Sequence, residues 1–345
     1  MNAVARHAWV DYAKGIGILL VVYGHIARGL VSAEIELSER LFKLVDSIIY
    51  SFHMPLFFFL SGLFFCSSLQ KRGRTELVLS KMDTILYPYV VWSILQGAVE
   101  VVFSRYTNGE VTLAQVFDLT EPRAQFWFLY ALFILAVIGA FVYARLQPHF
   151  YGAIVLVSAL IFVFQSELPD LLNADYVYYS FVFFAMGIWF NAHRRSILQN
   201  SGLWLLPLSL LFITGQWLFH VFFGMTYKDI GLPLLVLAAI SILFVVALAS
   251  QLSKLPMGWI SSLGYSSMAI YLMHVLVGSG VRVALQKFLG VDSAVVHLLA
   301  GVALAVLLPM LALHLIKRWN LMFLIEAPRH MSGQYWYQRK LSTSQ

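Results

Sequence analysis

Long apolar stretches separated by short polar segments repeat along the whole sequence. Most of them approach the roughly 20 residues that a helix needs to cross a hydrocarbon core of about 30 Å. The pattern predicts an all-α polytopic membrane protein with about ten transmembrane helices. The predicted spans are 11–31, 46–66, 85–104, 125–145, 150–166, 177–192, 203–223, 230–250, 266–286 and 295–316.

Charged residues of opposite sign lie in alternate connections, and this asymmetry predicts the orientation. Lys and Arg accumulate in the cytoplasmic connections of membrane proteins. Both termini are therefore predicted to be cytoplasmic. Basic residues on the predicted inner side include Lys14, Lys71, Arg72, Arg74, Lys81, Lys254, Lys317, Arg318, Arg339 and Lys340. Acidic residues on the predicted outer side include Glu34, Glu36, Glu39, Asp118, Glu121, Asp229 and Asp292.

The chain shows no Pro-, Gly- or Ser-rich linker and no convincing internal repeat, so a single membrane domain is predicted for residues 1–345. Its first apolar stretch follows Arg6 and is longer than the core of a secretory signal. No small-residue cleavage site follows it, so we interpret it as a retained span. Residues 326–345 are predicted to form a cytoplasmic tail, whose aromatic and basic residues suit the inner membrane surface.

Composition agrees with this pattern and excludes several classes of protein. Hydrophobic residues make up 60% of the chain and charged residues 12%, and the mean hydropathy is +0.79, which excludes a soluble globular protein. The net charge of +6 arises from residues in short connections, so we predict no nucleic-acid partner. The single cysteine, Cys66, excludes an intramolecular disulfide and a multi-cysteine metal site.

Three histidines, His25, His53 and His274, lie well inside predicted spans. An ionisable residue there costs several kcal/mol unless it faces protein, water or a partner. His25 and His53 lie at similar depth in consecutive spans, which are usually neighbours, so both imidazoles are expected in one pocket open to the outside. His274 is expected deeper, towards the cytoplasmic half. A neutral imidazole can accept a proton from an alcohol, so His25 is the predicted general base. A buried histidine bonded to a backbone carbonyl is the alternative.

Other polar or aromatic residues in the spans are weaker candidates. Lys14 shares a helix face with His25 and either serves the site, extends to the membrane surface or pairs with Asp11. Glu100 either orients a histidine or reaches water. Trp127 either lines a sugar site or belongs to an interfacial aromatic belt.

The sequence lacks a Walker loop, the GxSxG elbow, HExxH and the His-x4-Asp acyltransferase motif. Two imidazoles without a nearby carboxylate are a poor metal site, so no metal is predicted.

Five motifs in this order carry a resemblance to a known family: WVDYAKGIGILLVVYGH, SFHMPLFFFLSGLFF, KMDTILYPYVVW, FWFLYALF and IYLMH. Together they resemble the acyltransferase-3 family of integral membrane O-acyltransferases. Within that family the chain is most similar to the fucose 4-O-acetylase-like branch of polysaccharide acetyltransferases. The likeness extends from about residue 8 to residue 275.

The resemblance implies ten helices, with acetyl-CoA used from the cytoplasm and no bound cofactor. It also implies acetylation of a sugar hydroxyl at the outer face of the bacterial inner membrane. His25 closes the family's motif of a basic residue, ten residues and a histidine, so it is the implied catalytic residue. Lys14 fills the basic position, where the family more often has arginine, and lysine offers a point charge in place of a bidentate fork.

The family's Arg-x-x-Arg pattern near the third helix is absent, and Lys81 is its nearest substitute. A cationic inner mouth built from Lys14, Arg72, Arg74 and Lys81 would attract the phosphates of the donor.

We therefore predict a membrane O-acetyltransferase whose acceptor is an exopolysaccharide or a lipid-linked oligosaccharide. Its partners would be acetyl-CoA, the glycan and the bilayer. His53 orients His25 or binds the acceptor, and His274 supports the site. Direct transfer and an acetyl-histidine intermediate are both open.

Two alternative interpretations remain, one of the function and one of the fold. A proton-coupled transporter or glycan exporter would also need buried histidines, although it predicts broken helices in two repeated halves, which the sequence does not show. A different membrane acyltransferase fold, with one histidine in an apolar channel, would keep the chemistry and change the architecture.

Overall fold

The computed structural model describes residues 8–103, 112–169, 171–199 and 201–343, without the side chains of residues 193–199. Over these residues the chain is helical and contains no β-strand, which confirms the predicted all-α class. Its α-helices are α1 Ala8–Ser32, α2 Glu39–Tyr50, α3 His53–Gly62, α4 Phe65–Lys81, α5 Tyr87–Val102, α6 Leu113–Phe117, α7 Trp127–Val142, α8 Tyr151–Val163, α9 Asp175–Gln199, α10 Ser201–Trp217, α11 Leu232–Leu252, α12 Gly258–Tyr265, α13 Ser267–Val283, α14 Ala294–Arg318 and α15 Gly333–Thr343. Short π-helical turns lie at Met82–Leu86, Leu218–Phe222 and Ala284–Phe288, and short 3-10 turns at Ala124–Phe126, Pro148–Phe150, Gln165–Glu167 and Met322–Leu324.

Within the described residues, eight helical segments are long and apolar enough to cross a membrane. They are Ala8–Ser32, Glu39–Gly62, Phe65–Val102, Ala124–Val142, Ser201–Phe222, Leu232–Leu252, Ser267–Phe288 and Ala294–Arg318. The other two predicted spans, 150–166 and 177–192, fall on helices α8 and α9, of which the first belongs to a shorter apolar segment. These helices are those of a multi-pass membrane protein. The number of spans and the side on which the termini lie stay predictions.

The chain forms two compact units, each assembled from two separate parts of the sequence. The first unit comprises the described residues of Met1–Leu60 and His193–Leu313. The second comprises those of Ser61–Ala192 and His314–Gln345. That the chain acts as one membrane domain stays a prediction, and Arg6, which precedes the first span, lies outside the described residues.

Helix α1 is the centre of the first unit, where it packs against α11, α12 and α13. Its crossing with α12 depends on two glycines. A Cβ atom at Gly15 would overlap the carbonyl oxygen of Ile260, and a Cβ atom at Gly264 would overlap the backbone of Asp11. Small residues let helix backbones approach closely in membranes, so these two positions fix α12 against the predicted cytoplasmic half of α1.

A buried carboxylate ties the C-terminal segment to the second unit. Asp83 lies in the π-helical turn Met82–Leu86 and accepts hydrogen bonds from the Ser332 hydroxyl at 2.7 Å and from the backbone N–H groups of Gly333 and Gln334 at 3.1 and 3.2 Å. These N–H groups belong to the first turn of α15, whose unsatisfied donors and positive dipole end favour a carboxylate. The predicted tail is therefore docked on the unit, and its cytoplasmic location stays a prediction.

Candidate functional site

Two histidines from different helices pack against each other in the first unit. The rings of His25 on α1 and His274 on α13 lie 5.0 Å apart, edge to face. His274 is fully buried, and its Nδ1 lies 2.8 Å from the carbonyl oxygen of Tyr271 and 3.1 Å from that of Ile270. Carbonyl oxygens only accept, so Nδ1 carries the proton. The Nε2 of His274 is left as an unprotonated nitrogen, buried and without a hydrogen-bond partner in the described structure.

A tyrosine, Tyr50, connects His25 to the second predicted histidine, His53. The ring of Tyr50 lies 4.5 Å from that of His53 and 6.5 Å from that of His25. His53 is buried, and its Nδ1 donates to the carbonyl oxygen of Ile49 at 2.8 Å. The structure therefore joins the two predicted histidines through an aromatic ring, while the direct neighbour of His25 is His274.

Arg28 binds Asp46 and stacks on Tyr50 next to these rings, an arrangement that we call the Arg28 clamp. Arg28, one turn after His25, donates from Nε to Oδ1 of Asp46 at 2.7 Å and from Nη2 to Oδ2 at 2.8 Å. The Arg28 guanidinium carbon lies 3.3 Å from the centre of the Tyr50 ring and 5.2 Å from that of Tyr227. A two-bond fork and cation–π stacking both favour a fixed guanidinium. The clamp consequently holds Tyr50 next to His25.

The loop that follows the π-helical turn Leu218–Phe222 brings Tyr227 to this clamp. The backbone N–H of Tyr227 donates to the Ser47 hydroxyl at 2.9 Å, and the same hydroxyl lies 3.2 Å from Nδ1 of His220. Asp229 closes the loop by accepting from the N–H and hydroxyl of Thr226 at 2.6 and 2.9 Å, and these bonds hold the pKa of Asp229 below its ordinary value. The loop is thus tied to α2 and to itself.

A cavity of about 210 Å³ opens beside His25, which is partly exposed there. Three helices supply its walls, and among the described residues its lining includes two arginines and no carboxylate. The polar residues among them are His25, Arg28 and Ser32 from α1, Ser279 and Arg282 from α13 and His297 from α14. His53 does not line this cavity.

Comparison with known proteins identifies the family. A family model described as an acyltransferase domain matches residues 7–314. The chain belongs to the acyltransferase-3 family. The predicted family is thereby confirmed, and its described activity is acyl transfer.

Two curated relatives of the chain are bacterial nodulation proteins. Nodulation protein NolL of Mesorhizobium japonicum is 32% identical over 129 residues, which cover 36% of this chain and 32% of that protein. Nodulation protein NolL of Sinorhizobium fredii is 28% identical over 191 residues, which cover 54% and 49%. The chain thus spans about a third to a half of the length of these relatives. No solved structure matches.

In this acyltransferase-3 chain, Lys14, a predicted donor-binding residue, and Asp11, a predicted supporting residue, lie near the opposite end of α1 from His25. The rise of an α-helix separates Lys14 from His25 by about 16 Å. Asp11 is buried and borders an open pocket whose other walls include Ser261 and Ser262 of α12. A role for either residue in the site stays a prediction.

Arg72 and Lys81 belong to the second unit, on helix α4. Arg72 is exposed and donates to the Ser80 hydroxyl at 2.6 Å. It lies next to Gly73, whose positive φ of 73° kinks α4. Lys81 is partly buried at the end of this helix. Donor binding by these two residues stays a prediction.

Glu100 and Trp127 also belong to the second unit. Glu100 accepts from Nη1 of Arg123 at 2.7 Å and from Nε2 of Gln96 at 3.0 Å. Trp127 stacks on Tyr176 with the ring centres 5.3 Å apart. Their proposed contributions, orienting a histidine and lining a sugar site, stay predictions.

Sequence reasoning did not single out Arg28, Asp46, Tyr50 or Tyr227. Helical spacing carried a signal for three of them. Arg28 follows His25 by three residues on α1, and Asp46 and Tyr50 precede His53 by seven and three within the predicted span 46–66. Each set would share one face of an unbroken helix. Tyr227 comes from a distant loop and gave no such signal.

Proposed function

We propose that this chain is a membrane O-acetyltransferase. It moves an acetyl group from cytoplasmic acetyl-CoA to a sugar hydroxyl of an exopolysaccharide or lipid-linked glycan. The proposal rests on the position of His25. This residue ends the family's motif of a basic residue, ten residues and a histidine, and it lines a cavity next to His274. Both relatives are bacterial, which supports the bacterial inner membrane as the location.

The proposed reaction needs one base and one thioester. A nitrogen of His25 accepts the proton of the acceptor hydroxyl while the hydroxyl oxygen attacks the acetyl carbonyl carbon. The carbon–sulfur bond breaks, and the imidazolium of His25 returns the proton to the thiolate of coenzyme A. The products are an acetyl ester and free coenzyme A. In the alternative course, His25 attacks the thioester first and the sugar hydroxyl then takes the acetyl group from it.

His274 is the proposed positioning residue for His25. Its Nδ1 proton is fixed by backbone carbonyls, so its Nε2 can only accept a hydrogen bond. Accepting the N–H of His25 would leave the second nitrogen of His25 as the base and stabilise the imidazolium formed during the reaction. Tyr50 packs between His25 and His53, with ring centres 6.5 Å and 4.5 Å away, respectively. Basic residues on the predicted cytoplasmic side are proposed to attract the phosphates of the donor, each within its own unit: Lys14 in the first, and Arg72 and Lys81 in the second.

Replacing His25 by alanine tests the assignment. We expect glycan acetylation to fall by roughly 10²- to 10⁴-fold, the usual contribution of a general base, with unchanged abundance of the protein in the membrane. The measurement is the alkali-labile acetyl content of surface glycans from a gene-deletion strain complemented with each variant. His314→Ala is a matched control, because His314 is exposed on α14.

Acetylation that persists in the His25→Ala strain would contradict the assignment of the base. Glycan transport across the membrane without consumption of acetyl-CoA would contradict the proposed function itself and favour the transporter alternative.

A further inference from the structure

His297 on α14 lines the cavity beside His25, and the proposed reaction does not use it. The residue is 1% exposed, and its Nε2 donates to the carbonyl oxygen of Val291 at 2.7 Å. That bond fixes the tautomer, so Nδ1 carries no proton and can only accept a hydrogen bond. Among the residues that the structure describes, Nδ1 has no hydrogen-bond partner. A buried acceptor without a partner is unfavourable, so it indicates a donor group that comes from outside the chain.

The packing of α14 against α1 relates His297 to His25. A Cβ atom added at Gly301 of α14 would lie 2.8 Å from Cγ2 of Ile26, the residue that follows His25. His297 precedes Gly301 by one helical turn, about 5.4 Å along the axis. The two imidazoles thus line one cavity from different helices. Its volume of about 210 Å³ is below the roughly 300–1,000 Å³ of pockets for drug-sized ligands, so it suits a single sugar ring.

We infer that His297 determines specificity in the acceptor site, where its Nδ1 accepts a hydrogen bond from a second, non-reacting hydroxyl of the sugar. The acceptor is then recognised as a diol: one hydroxyl faces His25 and reacts, while His297 holds the other. Such a site discriminates against an analogue that lacks the second hydroxyl, because the nitrogen is then left unpaired. The inference rests on the proposed function and names the feature of the substrate that this cavity recognises.

Two amide side chains separate sugar binding from a purely structural role of His297. The amide of glutamine extends about as far as Nε2 of histidine, so His297→Gln keeps a donor for the Val291 carbonyl and loses the acceptor at Nδ1. The amide of asparagine ends near the position of Nδ1, so His297→Asn keeps an acceptor there and loses the bond to Val291. Sugar binding predicts that the glutamine variant is the more impaired of the two. A structural anchor at the start of α14 predicts the opposite order.

The measurement is the steady-state release of coenzyme A by the purified full chain in lipid nanodiscs. The substrates are acetyl-CoA and unacetylated surface glycan from the gene-deletion strain. We expect His297→Gln to raise the KM for the glycan about tenfold, which corresponds to about 1.4 kcal/mol, and His297→Asn to stay close to the wild type. The kcat and the KM for acetyl-CoA should not change, because the second hydroxyl is bound equally in the ground state and the transition state.

A glycine in the cavity wall tests the location independently of hydrogen bonding. Gly29 lines the cavity, and a Cβ atom added there would meet nothing within 4 Å. A leucine at this position therefore occupies ligand space without displacing a neighbour, so Gly29→Leu should raise the KM for the glycan and not that for acetyl-CoA. Gly280 of α13 also has nothing within 4 Å of an added Cβ atom, yet it does not line the cavity. Gly280→Leu should change neither KM.

An unchanged KM for the glycan in His297→Gln would overturn the inference, and it is the result expected if an ordered water alone serves Nδ1. Greater impairment of His297→Asn than of His297→Gln would overturn it too, as would an unchanged KM for the glycan in Gly29→Leu. A wild-type chain that releases no coenzyme A with the glycan would overturn the proposed function itself. Wild-type turnover with unaltered His297 variants would overturn the role of His297 alone.

Discussion

At the scale of single residues, the Arg28 clamp is the feature that defines the surroundings of His25. Its fork with Asp46 and its stacking on Tyr50 both require a planar guanidinium. Lysine keeps the charge but offers neither the fork nor the flat face. We therefore expect Arg28→Lys to lower acetyl transfer by about 10- to 100-fold, as expected for losing a charge-assisted hydrogen bond of about 1.5–3 kcal/mol. Acetyl transfer and thermal stability of the purified variant are the measurements.

An exposed ion pair in the same unit is the control for this experiment. The side chains of Lys43 and Glu39 are 70% and 78% exposed, against 33% and 11% for Arg28 and Asp46. Exposed pairs of this kind contribute about 0–1 kcal/mol, so Lys43→Ala should leave activity and stability unchanged. Wild-type activity in Arg28→Lys would show that the clamp does not position the reacting groups.

The sequence predicted candidates by their chemistry, but it did not single out their partners, even Arg28, which follows His25 by three residues on the same helix. His25 and His53 stand out because imidazoles are rare in apolar spans. The contact between His25 and His274 joins residues that are far apart in the chain, so it depends on the packing of α1 against α13. Nothing in the local sequence distinguishes His297, because the burial of its Nδ1 beside a cavity depends on how α14 packs.

At the scale of helices, the crossing of α1 and α12 determines how α1 is held. Gly264 faces the backbone of Asp11 so closely that a methyl group there must displace one helix. Overpacking of this kind costs typically 1–3 kcal/mol, so Gly264→Ala should lower the melting temperature. Gly258→Ala in the same helix should not, since an added Cβ atom meets nothing within 4 Å there. The measurement is thermal unfolding in detergent.

Equal melting temperatures for Gly264→Ala and the wild type would contradict the close crossing. A lower melting temperature in Gly258→Ala would instead indicate that α12 itself tolerates no substitution.

Hydropathy predicted where the helices lie, because apolar length is what a bilayer requires. It did not predict how they are interrupted. The second span is broken at Ser51–Phe52, and the break begins α3 at His53. Helix α4 bends at Gly73, where a positive φ is adopted. These features depend on a few backbone angles and on tertiary contacts. Hydropathy averaged over a segment carries no information about either.

At the scale of the whole molecule, the orientation in the membrane decides from which side the acceptor arrives. Ser32, at the end of α1, lines the cavity beside His25, and residues 33–38 follow it directly. If the termini are cytoplasmic, this connection is outside and the cavity receives a glycan from there. Residues 253–257, which join α11 to α12, are then inside.

Single cysteines in a Cys66→Ser background test this orientation. Ser38→Cys is exposed and removes no side-chain cap of α2, and Lys254→Cys is exposed in the other connection. A membrane-impermeant maleimide should label position 38 in intact spheroplasts and position 254 only after lysis, because loops rich in Lys and Arg stay cytoplasmic. The reverse pattern would put His25 near the cytoplasmic surface. Acetyl-CoA and the acceptor would then have to reach it from the same side, and the proposed transfer across the membrane would be wrong.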